Sequence, residues 1–335
     1  MKKKYINNLS QNDIIDDFFL VAEKKILQTK EGRNYLFLNI KDRTGSIDAK
    51  KWNIEDKKFD DISSGDIISI KGRVEKFNNN LQIIINEIEK LNFESKYLEY
   101  LIPKTDKNIN ELILKINNFY DTINDKYLKK LLKKTIFDDE FFEKFKLSPA
   151  ASNFHHSYQG GLLEHTVSVT EISLTLGNVY KVQNIDVLIT GALLHDIGKV
   201  FEYNPVTFKR TDEGRLLGHI AIGLNYIDEK IKTIKNFPQN YSLAIKHIIL
   251  SHHGEFEWGS PVQPSFLEAL IIHFADNIDS KINPIISKIN SEDGWTYLKS
   301  LRRNVIDLEF LKDDNIETEK NEKKSIDKVT TIFNF

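Results

Sequence analysis

The chain has 335 residues, of which 40% are hydrophobic and 29% charged, and its formal net charge is −2. This length has room for two domains, and the near-neutral charge excludes a strongly basic protein that coats nucleic acid, although it allows a local basic groove. The chain contains no cysteine, which excludes disulfides, zinc–thiolate sites and thiol catalysis. No stretch approaches the roughly eighteen apolar residues of a membrane helix, so we expect a cytoplasmic protein with no membrane partner.

The first part of the chain, residues 12–91, is predicted to form β-strands. Short runs of apolar residues alternate with polar ones, and turn residues at 43–46 (RTGS) and 78–80 (NNN) separate them. Five strands with one short helical insertion match the plan of an OB-fold, a small Greek-key barrel. The segment FLNIKDRTGSIDAKKWN resembles the second and third strands of OB domains that bind nucleic acid.

Aromatic and basic side chains of this region are candidates for binding a single strand. OB barrels stack bases on aromatic rings along a positively charged groove. For any one ring, such as Phe37 or Trp52, we favour a place in the barrel core, with the basic residues on the solvated outside. For the domain as a whole we favour nucleic-acid binding, and the candidate contacts are Tyr35, Phe37, Arg33, Lys51 and Arg73.

Helical periodicity begins near Pro103. We expect helices that link the domains over residues 92–150, an all-α helical bundle without strands over 151–310, and a polar tail over 311–335. The predicted fold class is therefore multidomain α and β, with a five-stranded OB barrel followed by a helical bundle.

Histidine and aspartate residues recur along the helical part. His195 and Asp196 are adjacent in LLHDIGKV, at the end of an apolar run, and further candidates stand in separate apolar segments: His165, His219, His252, His253 and Asp276. Each residue taken alone is more often a hydrogen-bonded core or surface residue than a ligand. Taken together, they have the layout of a metal site built between facing helices. Imidazole and carboxylate donors suit Mn²⁺, Fe²⁺, Co²⁺, Mg²⁺ or Zn²⁺.

The order H…HD…H…H…D resembles the HD superfamily of metal-dependent phosphohydrolases. The resemblance implies two divalent cations per chain. His165, His195, Asp196 and Asp276 would bind the first, and Asp196 would bridge to a second that is bound also by His219 and His252. The sequence leaves open whether His252 or His253 is the ligand. By family position we assign His252 to the metal and His253 to the substrate phosphate.

Other residues near these positions are candidates for catalysis or substrate binding. Lys199 either contacts the scissile phosphate as a point charge or offsets a helix dipole as a C-terminal lysine. Arg215 is a candidate for phosphate binding, and Trp258 for stacking on the terminal base or for covering a helix pair. His156 and Tyr158, in NFHHSYQGG, match a family phrase and are candidates for substrate contact or proton donation to the leaving group.

The phrases HHSYQGGLLEHT, HDIGK, EGRLLGHI and SHHGEFEWGSP, after an OB-like region, look like the YhaM family of 3′→5′ exoribonucleases. That resemblance implies trimming of single-stranded RNA, and often single-stranded DNA, with Mn²⁺ preferred, and it leaves a homo-oligomer open. Two alternatives remain. One is an HD phosphohydrolase of free nucleotides or cyclic dinucleotides, and the other is a non-catalytic protein that binds single strands.

Overall fold

A computed structural model describes residues 2–54, 59–92, 94–151, 158–288, 294–298 and 301–308. His156 and the predicted tail, 311–335, lie outside the described residues. The chain divides into two compact units, Met1–Ser280 and Lys281–Phe335.

The strands of the first unit are β1 (Ile14–Gln28), β2 (Asn34–Asp42), β3 (Gly45–Lys51), β4 (Ile67–Phe77) and β5 (Asn80–Leu91). They close into a barrel in the order β1-β2-β3-β5-β4, which confirms the predicted OB-fold. The long β1 makes closure possible, because Ile14–Leu20 pairs with β4 while Leu20–Gln28 pairs with β2. The helical insertion expected in the barrel is not found among residues 52–54 and 59–66.

The side chains of β2 show how the barrel separates its core from its surface. Leu36, Leu38 and Ile40 are buried in the core, whereas the alternate residues Tyr35 and Phe37 face outward and are only partly buried. The interpretation of Phe37 and Trp52 as core residues is therefore wrong. The pleat of the strand decides this, because neighbouring residues point to opposite faces and the three aliphatic side chains already occupy the inner one.

The helices of the second half follow the barrel in this order: α1 (Leu98–Leu101), α2 (Ile109–Thr122), α3 (Lys126–Lys134), α4 (Asp139–Phe145), α5 (Gly161–Val179), α6 (Ile185–Leu194), α7 (Lys199–Glu202), α8 (Asp212–Leu216), α9 (Gly218–Lys232), α10 (Gln239–Ser251) and α11 (Leu267–Lys288). Helix α6 is the centre of this bundle, since every residue from Val187 to Leu194 is buried. It is apolar all round and packs mainly against α5 and α10. The asparagine before α6 accepts a hydrogen bond from the Val187 backbone and sets where the helix begins.

The second unit contains a pair of strands, β6 (Trp295–Leu298) and β7 (Arg303–Ile306), which pair antiparallel. The prediction of an all-α region as far as residue 310 is therefore wrong for this segment. Arg302 adopts a left-handed backbone (φ 51°) in the turn, and residues of high β-propensity flank it. The strands have four residues each, too short for the alternation in sequence to be distinctive.

No described helix combines the length and the apolar character needed to cross a membrane.

Candidate metal centre and nucleic-acid interface

The predicted ligands lie on helices, or at their ends, around one buried point. His195 is the residue that ends α6, and Asp196 follows it directly. His252 occupies the corresponding position at the end of α10. The other predicted ligands lie within helices: His165 in α5, His219 in the first turn of α9 and Asp276 in α11.

A close approach of two backbone segments brings His219 to Asp196. A Cβ atom placed on Gly198 would lie 2.0 Å from the carbonyl oxygen of His219 and 2.7 Å from the backbone nitrogen of Gly223. Only glycine leaves room for this contact. Helix α9 therefore packs directly on the turn that follows Asp196.

Asp196 lies between two groups of side chains, with one oxygen toward each. Its Oδ2 atom lies 3.2 Å from His165 Nε2 and 3.4 Å from His195 Nε2. Its Oδ1 atom lies 3.5 Å from His219 Nε2 and 3.4 Å from His252 Nε2. Within each group the ligand atoms lie within 4.8 Å of one another; we call them the mixed group (His165, His195, Asp276) and the three-histidine group (His219, His252, His253).

The histidines at helix ends are held through Nδ1 by backbone carbonyls. His195 Nδ1 lies 2.7 Å from the carbonyl oxygen of Ala192, and His252 Nδ1 lies 2.8 Å from that of Ile249. His253 Nδ1 is likewise 3.0 Å from the carbonyl oxygen of Trp258. Because a carbonyl oxygen only accepts, each Nδ1 donates the proton of that hydrogen bond, and Nε2 faces the centre.

A carboxylate stands behind each of the remaining histidines. The contact with His165 is a hydrogen bond, whereas the contact with His219 is electrostatic, since Glu202 Oε2 makes no hydrogen bond within the described residues. Asp279 Oδ2 lies 2.7 Å from His165 Nδ1, and Glu202 Oε2 lies 3.1 Å from His219 Nδ1. Carboxylates behind a ligating imidazole fix its tautomer and orientation. The sequence reasoning missed both. Asp279 stands one helical turn after Asp276, a spacing that places the two on one face of α11 and that a search for supporting carboxylates could have used.

On the three-histidine side of the centre, buried acceptor atoms of the described residues face one another without a hydrogen bond between them. Among the described residues, Asp196 Oδ1, His219 Nε2 and His252 Nε2 are buried and have no hydrogen-bond partner. Buried acceptors that face one another repel, and each unpaired polar atom costs free energy. A divalent cation would satisfy all three. The residues therefore fit a divalent metal ion with nitrogen and oxygen ligands, the donor set expected from the sequence.

The protonation of the three-histidine group suits metal binding. Burial lowers the pKa of His219 and of His252, and it lowers the pKa of His253 to about 4. These rings are neutral at pH 7, which is the state that binds a metal. His253 thus has the position and protonation of a ligand, whereas the sequence assigned it to the substrate phosphate.

The mixed group has the opposite electrostatics. Burial disfavours a charge on His165, but hydrogen bonds to Asp196, Asp276 and Asp279 outweigh it and raise the pKa of His165 well above its usual range. Burial likewise opposes ionisation of Asp196, but the charge of Lys199 and neighbouring histidines hold its pKa well below the usual range. The carboxylates therefore remain ionised and attract positive charge to this point.

Lys199 contacts a carboxylate of the centre, and Tyr158 contacts the carboxylate of Glu164, the residue before His165. Lys199 opens the four-residue α7, and its ammonium lies 2.5 Å from Asp196 Oδ2, which does not support a role at a helix C-terminus. The Tyr158 hydroxyl donates to Glu164 at 2.8 Å, and Glu164 precedes His165 in α5. Burial and the charge of Glu164 raise the pKa of Tyr158, which keeps the hydroxyl protonated.

A cavity of about 440 Å³ opens beside the three-histidine group. His219 and His253 form one part of its wall, and Arg215 and Trp258 form another. Arg215 is exposed, and half of the Trp258 surface is exposed. The cavity therefore places the two predicted substrate contacts next to ligand atoms.

The barrel carries an aromatic face, made of Tyr35, Phe37, Trp52 and Phe77 with Lys50. The rings of Tyr35 and Trp52 are 4.9 Å apart between centroids. Lys50 pairs with Phe37 across strands β2 and β3, and its ammonium lies 5.1 Å from the centroid of Phe77. Trp52 is 42% exposed and Phe77 57% exposed, so both rings are accessible to a ligand.

The predicted basic contacts are distributed differently around the barrel. Lys51 pairs with the core residue Leu36, and its ammonium donates to the carbonyl of Asn86, so Lys50 takes the place beside the aromatic rings. Arg73 donates to the Asn12 side chain at 2.8 Å. Arg33 is exposed in the turn between β1 and β2.

Comparison with known proteins agrees with this architecture. Residues 162–281 match a family model described as the HD domain, and residues 21–91 match one described as an OB-fold nucleic acid binding domain. The chain pairs an OB-fold domain with an HD domain. The HD domain indicates a metal-dependent phosphohydrolase, and the two domains together suggest one that acts on nucleic acid.

Solved structures that are similar to part of the chain were also found. The second OB-fold domain of replication protein A from Methanococcus maripaludis is 27% identical, with 28% of this chain and 98% of that chain covered at a TM-score of 0.23. A murine DNA-binding protein bound to double-stranded DNA is 18% identical, with coverage of 28% and 49% and a TM-score of 0.23. Asparaginyl-tRNA synthetase from Entamoeba histolytica is 15% identical, with coverage of 42% and 33% and a TM-score of 0.23.

Proposed function

We propose that this protein is a 3′→5′ exoribonuclease that hydrolyses single-stranded RNA, and also single-stranded DNA, to mononucleotides with the help of two divalent cations. The observation that carries the proposal is the position of Asp196 between two groups of ligand atoms, with Oδ2 toward the mixed group and Oδ1 toward the three-histidine group. A carboxylate in that position can bridge two cations. The polarity, the product and the preference for Mn²⁺ rest on the resemblance to the YhaM family.

The chain supplies ligands and charge in place of a protein nucleophile. Two bound cations would supply a water nucleophile at neutral pH and stabilise the charge on the leaving oxygen. His165, His195 and Asp276 would hold one, His219, His252 and His253 the other, and Asp196 both. Lys199 is charged and contacts Asp196, which supports the proposal that it binds the scissile phosphate.

The barrel and the cavity supply the substrate contacts. A single strand would stack on the aromatic face, where Lys50 provides a positive charge close to the rings. The 3′ end would enter the cavity beside the three-histidine group, with Arg215 on a phosphate and Trp258 against the terminal base. The roles proposed for Tyr158 and His156 are contact with the substrate or proton donation to the leaving group.

The test is incubation of the full chain with Mn²⁺ and a 5′-labelled single-stranded RNA. A ladder that shortens from the 3′ end supports the proposal. Turnover of free nucleotides alone would favour a nucleotide phosphohydrolase, and binding without cleavage would favour a non-catalytic protein. Equal degradation of a circular strand, which has no 3′ end, would refute the exonuclease assignment.

The substitution Asp196→Ala tests whether cleavage depends on the metal centre. Removing the bridging carboxylate takes one ligand from each of the two cations. We expect RNA cleavage to fall by at least about 10³-fold, which corresponds to about 4 kcal/mol of transition-state stabilisation. The exposed carboxylate Asp121, in α2, provides the matched control, and Asp121→Ala should cleave normally. Normal turnover and normal metal content in Asp196→Ala would refute the assignment of this centre.

A further inference from the structure

The loop of residues 203–211, between α7 and α8, contacts the barrel through Phe208 and Lys209. Phe208 is 6% exposed and packs in one apolar cluster with Leu20 and Ile67 of the barrel and with Leu101 and Ile102, which precede α2. The adjacent Lys209 donates from its ammonium to the backbone carbonyl of Ala22 and, at 3.2 Å, to the hydroxyl of Ser64. Both Ala22 and Ser64 belong to the barrel, so the loop is docked on it by an apolar and a polar contact.

The next two residues of the loop, Arg210 and Thr211, contact Glu202, whose carboxylate lies beside the candidate ligand His219. Arg210 Nε lies 3.2 Å from Glu202 Oε1, and the backbone N–H of Thr211 donates to the Glu202 carbonyl at 2.9 Å. Glu202 is 1% exposed, and its other carboxylate oxygen, Oε2, lies 3.1 Å from His219 Nδ1. A continuous set of contacts therefore runs from the barrel surface through Lys209 and Arg210 to His219.

The backbone of the loop also indicates that docking holds its shape. Phe208 has a φ of 58°, in the left-handed region that a residue with a large side chain rarely adopts. Such a conformation persists only where the surroundings impose it. Here the surroundings are the apolar cluster on the barrel and two backbone hydrogen bonds, from Phe208 N–H to the Asn204 carbonyl and from Asn204 N–H to the Lys209 carbonyl. Loss of the cluster would remove the contact that anchors the Phe208 side chain and would loosen residues 208–211.

We infer that the barrel is a structural support of the three-histidine group, and that Phe208 and Lys209 are positioning residues that set the orientation of His219 through Arg210 and Glu202. This inference rests on the proposed two-cation function. Outer partners of metal ligands typically change metal affinity by about 10- to 100-fold when they are lost. Ligands of the mixed group belong to α5, α6 and α11, so their cation should bind normally when the loop is released.

The experiment measures Mn²⁺ binding to the full chain by calorimetry, together with the electron paramagnetic resonance signal of two coupled Mn²⁺ ions. In Phe208→Ala we expect one cation to bind normally and the other about 10- to 100-fold more weakly, with loss of the coupled signal at Mn²⁺ concentrations that saturate the unaltered protein. Lys209→Met removes only the contacts to Ala22 and Ser64 and should show the same split with a smaller shift. It tests the inference even where Phe208→Ala does not fold.

Ile14→Ala is the matched control, because Ile14 is an apolar residue of the same barrel that is 84% exposed and lies outside the aromatic face. It should bind both cations as the unaltered protein does. A lower melting temperature with unchanged affinity for both cations, in Phe208→Ala and Lys209→Met, would overturn the inference and leave these residues a packing role alone. If the unaltered protein binds a single cation, the two-cation proposal fails first, and it fails independently of the variants.

Discussion

Replacing Gly254 with alanine should damage the three-histidine group through a residue that binds no metal. Gly254 follows His253 with a φ of 81°, and a Cβ atom there would lie 2.1–2.4 Å from the ring of His273. His273 is 5% exposed, and its Nδ1 atom is 2.9 Å from the carbonyl oxygen of His252. The ring therefore has little room to move, and its displacement would break the contact with the backbone of a ligand.

The expected magnitude has two parts. A left-handed conformation costs a residue with a Cβ about 1–2 kcal/mol, and an added atom in a packed interior costs about 1–3 kcal/mol. Gly254→Ala should therefore lower the free energy of unfolding by about 2–5 kcal/mol, a large share of the roughly 5–15 kcal/mol of a typical domain. Gly32→Ala is the control, since Gly32 also has a φ of 81° but nothing within 4 Å of the added atom. It should show only the backbone cost, about 1–2 kcal/mol.

Urea denaturation of the metal-free variants, followed by circular dichroism, measures the difference between them. The gain of about 0.4–1 kcal/mol from a stiffer unfolded chain is common to both substitutions and cancels in that difference. Equal destabilisation by Gly254→Ala and Gly32→Ala would refute the collision with His273. In the folded variant, Mn²⁺ should also bind more weakly to the three-histidine group, and unchanged affinity would show that His273 does not position His252.

Three further results are expected. Trp52→Ala should weaken binding of single-stranded RNA by about 1–3 kcal/mol, the range for one stacked base, when affinity is measured in the Asp196→Ala background. Mn²⁺ at about 100 times its dissociation constant should stabilise the unaltered protein by about 2.7 kcal/mol for each cation, or about 5 kcal/mol for two, seen as a melting temperature higher by about 10–20 °C, with a much smaller rise in Asp196→Ala. Deletion of residues 1–95 should weaken binding of long strands. Because the deletion also exposes Leu101, Ile102 and Phe208, it should impair hydrolysis of a short substrate as well. Full activity on the short substrate would contradict the inference that the barrel supports the three-histidine group.

The deletion shows where reasoning from the sequence stops. The sequence assigns the candidate strand contacts to the barrel and the candidate metal ligands to the helices. From that assignment alone, deletion of residues 1–95 would weaken binding and leave hydrolysis of a short substrate intact. Contacts of Phe208 and Lys209 with the barrel join residues separated by more than a hundred positions, and no local pattern encodes such a pairing. The dependence of the helical site on the barrel can therefore be inferred only once the packing of the two domains is known.

The barrel itself was predictable, because alternation along β2 and two polar turns define the strands locally. At the β4–β5 turn, Asn78 and Asn79 adopt φ values of 47° and 66°, the left-handed pair that a two-residue hairpin requires and that asparagine tolerates. The sequence did not decide which face of β2 lies inside. Both sets of alternate residues on β2 contain apolar side chains, and the aliphatic set fills the small barrel while the larger rings stay outside.

The order of residues predicted which histidines and aspartates lie together, and the structure supplies a physical reason why two of them are suited to bind a metal. His195 and His252 each stand directly after a helix, and each Nδ1 atom reaches the carbonyl three residues earlier, in the last turn. Carbonyls in that turn lack intrahelical partners, so a histidine placed there gains a hydrogen bond that fixes its tautomer. The same hydrogen bond aims Nε2 beyond the helix end, where the negative end of the helix dipole also favours a cation. A histidine that follows a buried apolar helix is therefore a better candidate ligand than its residue type alone indicates, and two such helix ends facing one carboxylate give the centre observed around Asp196.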